Sequence, residues 1–360
     1  MKEVRIGIIG AGGIASLHAR AYKQIKNVKI VAIADTNYEK AQHLINQLNI
    51  SSATAYNNYQ NLLDKYLDAV SICTPNASHH TIAIDALNAG KHVLVEKPMA
   101  LTLDGAIEMV RTSKENEKML SVGFQPRYDN NIQTVKNIVD SGQLGHVYYV
   151  QVGGGRRRGI PDGTFISKDL AGAGATIDIG CYSLDLALYA IGYPKPVTVS
   201  ASTFNHLGTN PKYFTNAQNF EVEDFGVALI RFDTGQVLNF KISWAMHMDS
   251  LGPTLFLGTD AGLRITPSGS GPWGGVWDSG VSSITLFHDL LGNHVETIVP
   301  TKSHMVNIFY EKIYDFVTSI AENGPAPIPG EQIIRNQAIL DGILRSSTLG
   351  KEVNIDIPEF

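Results

Sequence analysis

This 360-residue sequence has few cysteines, no long apolar run and no strong excess of charge of either sign. Its two cysteines, Cys73 and Cys181, predict neither a disulfide framework nor a cysteine-ligated metal site. No apolar run approaches the roughly 20 residues that span a bilayer, and no apolar signal segment precedes the first predicted strand. We therefore expect a cytoplasmic protein that does not enter a membrane.

The charge balance argues against a nucleic acid as a partner. The chain has 29 Lys and Arg against 34 Asp and Glu, which gives a formal net charge of −5. The one clustered basic run is residues 156–158, so we expect no nucleic-acid-binding surface. The histidines show no metal-ligand spacing, and no metal site is expected. A hydrophobic content of 44% is typical of a globular protein, and the length predicts two domains.

The first third of the chain alternates short apolar strands with helix-length segments. Each strand and helix together fit a βαβ unit, so the pattern predicts an α/β, doubly wound (Rossmann) domain over residues 1–123. The predicted strands are residues 4–9, 28–34, 69–73, 92–95 and 119–122.

The second part of the chain, residues 124–360, has a different rhythm. Period-two runs joined by turn residues predict an α+β domain with a large, mostly antiparallel open sheet. The predicted turns are residues 232–235, 258–262 and 292–293, the predicted surface loop is 268–280, and the proline-rich connector is 325–329. The predicted helices are 127–141, 178–191, 304–323 and 331–349.

A glycine-rich turn directly follows the first predicted strand. Residues 10–15, GAGGIA, match the pattern G-x-G-x-x-G/A, and a helical pattern begins immediately afterwards. The glycines allow a tight turn and close approach of a pyrophosphate, which the helix N-terminus attracts. We expect contacts to a dinucleotide from Gly10, Gly12, Gly13 and Ile14.

Asp35 ends the second predicted strand, about 25 residues after the first glycine of the turn. An acid at this place binds the ribose hydroxyls of the adenosine and repels a 2′-phosphate, so NAD is favoured over NADP. Arg20 and Lys40 lie close enough in the sequence to leave dual cofactor use open.

Lys97 follows the buried strand 92–95, in the segment Glu96-Lys97-Pro98. Open α/β sheets bind ligands at the carboxyl ends of their strands, and Pro98 biases Lys97 towards an extended or turn conformation. A solvated lysine at a strand end is the alternative. Three further residues are assigned to the cofactor site at the same edge, namely Thr74, Asn76 and Glu96, and His79 is assigned either there or to helix packing.

These motifs, together with a glycine cluster in the second half, resemble the glucose-fructose oxidoreductase and inositol dehydrogenase family, also written Gfo/Idh/MocA. The resemblance spans nearly the whole chain. It rests on residues 10–15, 74–76 with His79, 96–98, and 172–182 with Asp185. The family pattern in the second half is a glycine cluster, then Asp, then Gly-x-His. Asp178 and Gly180 match it, whereas Tyr182 replaces the usual histidine.

The resemblance implies an NAD-dependent oxidoreductase that transfers hydride between nicotinamide and a secondary alcohol or carbonyl of a sugar, polyol or related substrate. It implies that Lys97 contacts the reacting oxygen, Asp178 binds the substrate, and Lys97 or Tyr182 carries the proton. Residues 178 and 182 are four apart, so on one helix their side chains share a face. The resemblance alone implies that residues 124–360 bind the substrate and form oligomers, as a homodimer or homotetramer.

Two arginine sites and two other functional classes remain open. Arg127 and Arg157 are candidate substrate contacts; structural pairing is the alternative for Arg127, and a solvated or subunit-interface patch is the alternative for residues 156–158. The resemblance also admits a glycosidase that uses NAD for transient oxidation, and a sensor that binds nucleotide without turnover. Retention of Lys97, Asp178 and Tyr182 argues against the sensor.

Overall fold

The computed structural model describes residues 3–268, 275, 280–301 and 306–358. The chain forms two compact units. The first comprises the described residues up to Gln125 together with Asn307–Ile334, and the second comprises those from Pro126 to Val306 and from Arg335 onwards. The boundary near residue 125 is close to the predicted one. Residues 307–334 differ from the prediction, because they pack with the first unit and not with the second.

The first unit contains a six-stranded parallel sheet in the order β3-β2-β1-β4-β5-β6, which is the order of a doubly wound dinucleotide-binding fold. Its β4 is buried along its whole length and β5 is buried from Val93 to Val95, as expected for parallel strands covered on both faces. The elements are β1 (Val4–Ile9), α1 (Gly13–Gln24), β2 (Val28–Ala34), α2 (Tyr38–Gln47), β3 (Thr54–Tyr56), α3 (Tyr59–Leu63), β4 (Ala69–Ile72), α4 (His79–Asn88), β5 (His92–Val95), α5 (Leu103–Glu115) and β6 (Leu120–Val122).

The second unit contains a nine-stranded sheet in the order β14-β13-β12-β11-β7-β10-β9-β8-β15, antiparallel except for the parallel pair β7 and β10. The predicted fold class is confirmed in both units. The remaining elements are α6 (Asn130–Asp140), β7 (Val147–Gly155), α7 (Lys168–Ala171), α8 (Ala175–Asp178), α9 (Gly180–Ala190), β8 (Pro196–Phe204), β9 (Phe225–Phe232), β10 (Val237–Ser243), β11 (Thr254–Gly258), β12 (Ala261–Pro267), β13 (Val281–Leu290), β14 (Asn293–Val299), α10 (Ile308–Glu322), α11 (Gly330–Leu349) and β15 (Val353–Asn354).

The three predicted turns join β9 to β10, β11 to β12 and β13 to β14, and each pair is antiparallel. The predicted helix 127–141 starts later, at Asn130, because the Asp129 carboxylate accepts hydrogen bonds from the backbone N–H groups of Asn131 and Ile132. The predicted helix 178–191 is divided at Ile179 into α8 and α9. The predicted loop 268–280 lies outside the described residues except for Ser268, Gly275 and Gly280, and so do residues 304 and 305 of the predicted helix 304–323.

Helix α10 completes the core of the first unit. Its buried side chains Ile313, Phe316 and Val317 join the apolar cluster formed by α1 and the strands. The connector after α10 pairs with the sheet, because Val122 N–H donates to the Ile328 carbonyl at 3.0 Å. The C-terminal part of the chain therefore contributes side chains to the nucleotide-binding unit.

Candidate functional site

The glycine-rich turn of the first unit leaves its backbone open for a ligand. Gly10 has φ +95°, and a Cβ there would lie 2.5 Å from the Cys73 carbonyl oxygen, so only glycine fits. A Cβ at Gly12 or Gly13 would meet no atom within 4 Å. Helix α1 begins at Gly13 with no acidic residue in its first turn. This exposed helix N-terminus fits the pyrophosphate of a dinucleotide.

Asp35 links the glycine-rich turn to the end of β2. Its Oδ2 accepts a hydrogen bond from Ala11 N–H at 2.9 Å, and its Oδ1 accepts one from Asn37 N–H at 2.9 Å. Beside this carboxylate is a groove of about 620 Å³ between α1 and α2. The groove is lined by Ala11, Gly12, Gly13, Ser16, Glu39, Lys40, His43, Leu44 and Gln47. Asp35 therefore lies at the end of β2 in contact with the glycine-rich turn, and its role in ribose binding stays a prediction.

His79 connects the segment that follows β4 to the segment that follows β5. Its Nδ1 is 2.8 Å from the Pro98 carbonyl oxygen, and its Nε2 is 2.9 Å from the Thr74 carbonyl oxygen. Burial lowers the pKa of His79, so the neutral ring donates to one of these two carbonyls. Asn76 begins a short 3-10 helix ahead of α4. His79 thus holds together the two segments that carry Thr74 and Lys97.

Glu96 and Lys97 have different surroundings although they are neighbours. Lys97 is half-buried, whereas Glu96 is only 5% exposed and extends into the unit. The Glu96 Oε1 accepts hydrogen bonds from His18 Nε2 at 2.8 Å and from Lys312 Nζ. Sequence reasoning did not identify His18 or Lys312, and the available signal was the charge of Glu96, which needs a partner when it is buried.

Asp178 is anchored in the second unit by a tryptophan. Trp244 is fully buried just beyond β10, and its indole Nε1 donates to Asp178 Oδ2 at 3.1 Å. Asp178 is the last residue of α8, and Tyr182 lies in the first turn of α9 with 4% exposure. The expectation of one continuous helix is not met at Ile179, although both side chains remain in the same helical region.

The glycine cluster before Asp178 is held by hydrogen bonds to a buried carboxylate. Glu223 Oε1 accepts hydrogen bonds from the backbone N–H groups of Gly174 at 2.9 Å and Thr176 at 3.0 Å, and from the Thr176 hydroxyl. A Cβ at Gly174 would lie 1.9 Å from the Glu223 carbonyl oxygen, so the close approach requires glycine. Burial raises the pKa of Glu223. Neither Trp244 nor Glu223 belongs to a motif, and sequence reasoning missed both.

Arg127 is held inside the second unit by other side chains. Its Nε and Nη2 donate to the two oxygens of Asp185 at 2.9 and 2.7 Å, and Nη2 also contacts the Tyr193 hydroxyl. The guanidinium carbon is 5.1 Å from the Tyr189 ring centre and 5.2 Å from that of Tyr193. This geometry favours the structural alternative for Arg127, and its predicted substrate contact stays untested.

The arginines after β7 lie at the edge where β7 and its parallel partner β10 both end. Arg157 and Arg158 are exposed. The Arg158 guanidinium is 4.8 Å from the Tyr213 ring centre, and its Nη1 donates to the Met246 carbonyl at 2.9 Å. Trp244 directly follows β10. The arginine run and Trp244, which binds Asp178, therefore both lie at the carboxyl ends of β7 and β10.

Among the described residues, no group of three or more His, Cys, Asp or Glu side chains is arranged to hold a metal ion. No helix among those residues combines the length and the apolar character needed to cross a membrane.

Two family models match the chain in succession. The model described as "Oxidoreductase family, NAD-binding Rossmann fold" matches residues 4–124, and the "GFO/IDH/MocA C-terminal domain" model matches residues 132–264. Together they cover both sets of candidate residues, including Lys97 in the first unit and Asp178 and Tyr182 in the second.

Several similar proteins are named as sugar and polyol dehydrogenases. D-glucoside 3-dehydrogenase of Escherichia coli is 34% identical over 274 residues, which are 74% of this chain and 78% of the relative. Glucose-6-phosphate 3-dehydrogenase of Bacillus subtilis is 32% identical over 51% of this chain and 53% of its own length. Inositol 2-dehydrogenase of Salmonella typhimurium is 37% identical over 39% of this chain and 43% of its own length.

Solved structures show the same fold at lower identity. Aldose-aldose oxidoreductase from Caulobacter crescentus, in complex with glycerol, has a TM-score of 0.80 at 23% identity and covers 98% of this chain and 100% of its own. Levoglucosan dehydrogenase, in complex with NADH and levoglucosan, has a TM-score of 0.83 at 21% identity, with 98% and 99% coverage. With both family domains matched in order, this chain belongs to the GFO/IDH/MocA family of NAD-binding oxidoreductases.

Proposed function

We propose that this protein is a dehydrogenase that oxidises a secondary hydroxyl group of a glycoside, sugar or polyol with NAD. The observation that carries the proposal is the carboxyl edge of the first sheet, where an open glycine turn bonded to Asp35 lies on the same edge as Lys97. The E. coli relative, a D-glucoside 3-dehydrogenase aligned over 74% of this chain, supports a glucoside as the substrate and the 3-hydroxyl as the group oxidised.

The residues can be given separate tasks. The bound nicotinamide would accept the hydride from the substrate carbon. Lys97 would hold the reacting oxygen as an ammonium, since an unperturbed lysine has a pKa near 10.4 and is a poor base at neutral pH. Tyr182 would take the hydroxyl proton as its phenolate, because the neutral side chain, whose unperturbed pKa is near 10, already carries a proton. Asp178, held by the Trp244 indole, would accept hydrogen bonds from another substrate hydroxyl.

The remaining contacts of the proposal follow the sequence assignments. The pyrophosphate would be held by Gly10, Gly12, Gly13 and Ile14. The nicotinamide side of the cofactor site would be formed by Thr74, Asn76, His79 and Glu96. Glu96 would act there through its backbone or through Lys97, because its side chain is buried against His18 and Lys312. Arg157, which is exposed, would contact the substrate. Arg127, which lies just before α6, would hold this part of the chain against α9 through its hydrogen bond to Asp185.

A substrate panel tests the proposed activity. We would incubate the protein with NAD and with methyl glucoside, glucose 6-phosphate, myo-inositol or an aryl glucoside, and follow both NADH and release of the aryl alcohol. NADH formed with the methyl glucoside, with a 3-keto product in the NMR spectrum, would support the proposal. Aryl release without NADH would replace it with a redox-assisted glycosidase, and NAD binding without either reaction would favour a sensor.

Replacement of Asp35 by Ser should weaken the preference for NAD. We expect the ratio of kcat/KM for NADP to that for NAD to rise on the order of 10²-fold, because the repulsion between the carboxylate and a 2′-phosphate is removed. Asp35 also accepts the Ala11 N–H. Any loosening of that turn affects both cofactors, so the ratio isolates the action of the carboxylate at the ribose, which is contact with the hydroxyls of NAD and repulsion of the 2′-phosphate of NADP.

The matched control for this change is Asp64→Ser, which removes an exposed carboxylate away from the turn. An unchanged cofactor ratio in Asp35→Ser would show that this carboxylate does not select NAD. The assay is initial-rate kinetics with each cofactor at saturating substrate.

Replacement of Tyr182 by Phe should remove the proton acceptor and leave the ring. We expect kcat to fall about 10²-fold or more and the limb of the pH-rate profile that reports this group to disappear. Tyr38→Phe is the control, because Tyr38 is 45% exposed and lies on α2. Ordinary turnover with the original pH-rate profile would assign the proton to another group.

We also propose that the protein is a cytoplasmic homodimer or homotetramer. The open nine-stranded sheet supports this, because it offers a broad face in the second unit to a second copy. Sedimentation equilibrium at micromolar concentration tests the assembly, and a mass equal to that of one chain would rule it out. Cell fractionation tests the location.

A further inference from the structure

A buried group of charged side chains lies behind the predicted catalytic lysine and comes from distant parts of the sequence. Lys312 on α10 is 2% exposed, His18 on α1 is fully buried, and Glu96 immediately precedes Lys97. A carboxylate and an ammonium taken out of water together cost several kcal/mol each unless their geometry repays it. This cost points to a role for the buried Glu96, Lys312 and His18 group at the end of β5.

The hydrogen bonds in this group form one consistent chain. Glu96 Oε1 accepts from both Lys312 Nζ and His18 Nε2–H. On the other side of the imidazole, Ser71 Oγ lies 3.2 Å from His18 Nδ1 and donates to it, and the Tyr22 hydroxyl donates to Ser71 Oγ at 2.7 Å. This assignment places the ring proton of His18 on Nε2 and gives every polar group in this series of hydrogen bonds a partner.

Burial and the neighbouring charges determine the protonation states of the side chains in this group. Burial and the Lys312 ammonium, whose Nζ is 3.0 Å from His18 Nε2, lower the pKa of His18 to about 4. Although burial opposes ionisation of Glu96, Lys312 and His18 hold its pKa far below its usual range. The other titratable groups facing the ring are Cys73, at 3.5 Å from Nδ1, and Tyr22 through Ser71. At neutral pH the group is an ion pair of Glu96 and Lys312 with a neutral histidine.

Glu96 is also fitted closely against the backbone. A Cβ at Gly123, just after β6, would lie 2.6 Å from Glu96 Oε1, so the carboxylate occupies space that a side chain would need. The Glu96 N–H donates to the Ile72 carbonyl at 3.0 Å. Side chain and main chain of Glu96 are therefore both fixed, and the direction of the next residue, Lys97, follows from them.

We propose that Lys312 and His18 are positioning residues for Lys97: by clamping the Glu96 carboxylate they set the place and the electrostatic environment of the lysine amine. The inference rests on the proposed function, in which Lys97 holds the reacting oxygen. It assigns a role in the reaction to α10, a helix about 210 residues beyond the strand that it serves, since Lys312 and Glu96 are 216 residues apart.

Lys312→Met tests the clamp because it removes the cation and keeps a similar volume. At the high pH where Lys97 releases its proton, His18 is neutral, so Glu96 would be left as a buried anion without its partner and would favour the Lys97 ammonium. We expect the pKa of Lys97 to rise by about 0.5 or more, the ring of His18 to titrate well above 4, and kcat to fall about 10²-fold with KM for NAD nearly unchanged.

The pKa of Lys97 can be read without any substrate, from the NMR signal of its reductively 13C-dimethylated amine, assigned by its loss in Lys97→Arg. Histidine NMR reports the protonation of His18. Lys312→Arg should restore most of kcat and of both titrations, because it keeps the positive charge. Lys26→Met, which removes an exposed lysine, should change none of these quantities.

A double variant keeps the test decisive if Lys312→Met does not fold. Lys312→Met with Glu96→Gln removes one anion and one cation and leaves no unpaired buried charge. Because Glu96 immediately precedes Lys97, the loss of the anion should outweigh the loss of the cation, so the pKa of Lys97 should fall, the opposite of the single variant. An unchanged pKa of Lys97 in a folded variant, or unchanged kcat despite a shifted His18, would overturn the proposal. If the wild-type protein oxidises no sugar or polyol, the proposed function fails, while the two titrations still decide whether the clamp acts on Lys97.

Discussion

Lys97→Ala is expected to lower turnover roughly 10²–10⁴-fold while NAD binds with nearly unchanged affinity. The loss follows from the place of Lys97, because its half-buried amine lies at the carboxyl end of β5, where it can contact a substrate oxygen. The glycine turn and Asp35, which are proposed to bind the dinucleotide, are untouched by the substitution.

Single-turnover kinetics with a deuterated sugar, together with calorimetric titration of NAD, separate the two effects. A slowed hydride step with normal NAD affinity is the expected result, and Lys26→Ala serves as the control for removal of an exposed lysine. Near-normal turnover in Lys97→Ala would remove Lys97 from the chemical step, whereas lost NAD affinity would make it a cofactor residue.

Asp185→Ala is expected to lower the free energy of unfolding of the second unit by about 3–5 kcal/mol, because it leaves the Arg127 guanidinium buried without its counter-charge. Asp185 is 3% exposed and Arg127 is 6% exposed, so water cannot replace the lost partner. In the wild-type protein, burial opposes the charge of Arg127, but Asp185, Tyr193 and Tyr189 hold its pKa above the ordinary value. Without Asp185 the arginine still keeps its proton, because a guanidinium is not deprotonated in proteins, and its charge stays buried.

The double variant Arg127→Met with Asp185→Leu is the matched control. It removes both charges and should recover most of the lost stability, as apolar replacements of buried ion pairs commonly do. Tryptophan fluorescence in urea is a suitable readout, because all three tryptophans of the chain, Trp244, Trp273 and Trp277, belong to the second part of the sequence. Normal stability but a raised KM for substrate in Arg127→Met would instead return Arg127 to the substrate site.

The sequence by itself determined the features that depend on short-range patterns. Buried parallel strands read as continuous apolar runs, and the positions of β1, β2, β4 and β5 follow from that. The glycine turn at residues 10–15 and Asp35 were found because their backbone geometry demands particular residues at fixed spacing. The three hairpin turns were predicted for the same reason.

Only the tertiary structure decided which distant residues meet. The pairs Lys312 and Glu96, Trp244 and Asp178, and Arg127 and Asp185 are separated by 216, 66 and 58 residues, and no periodicity extends across such distances. A buried charge predicts that a partner exists but does not say where in the chain it lies, because packing of whole helices and strands makes that choice. The return of α10 to the first core is the clearest case, since its amphipathic pattern is compatible with burial against either unit.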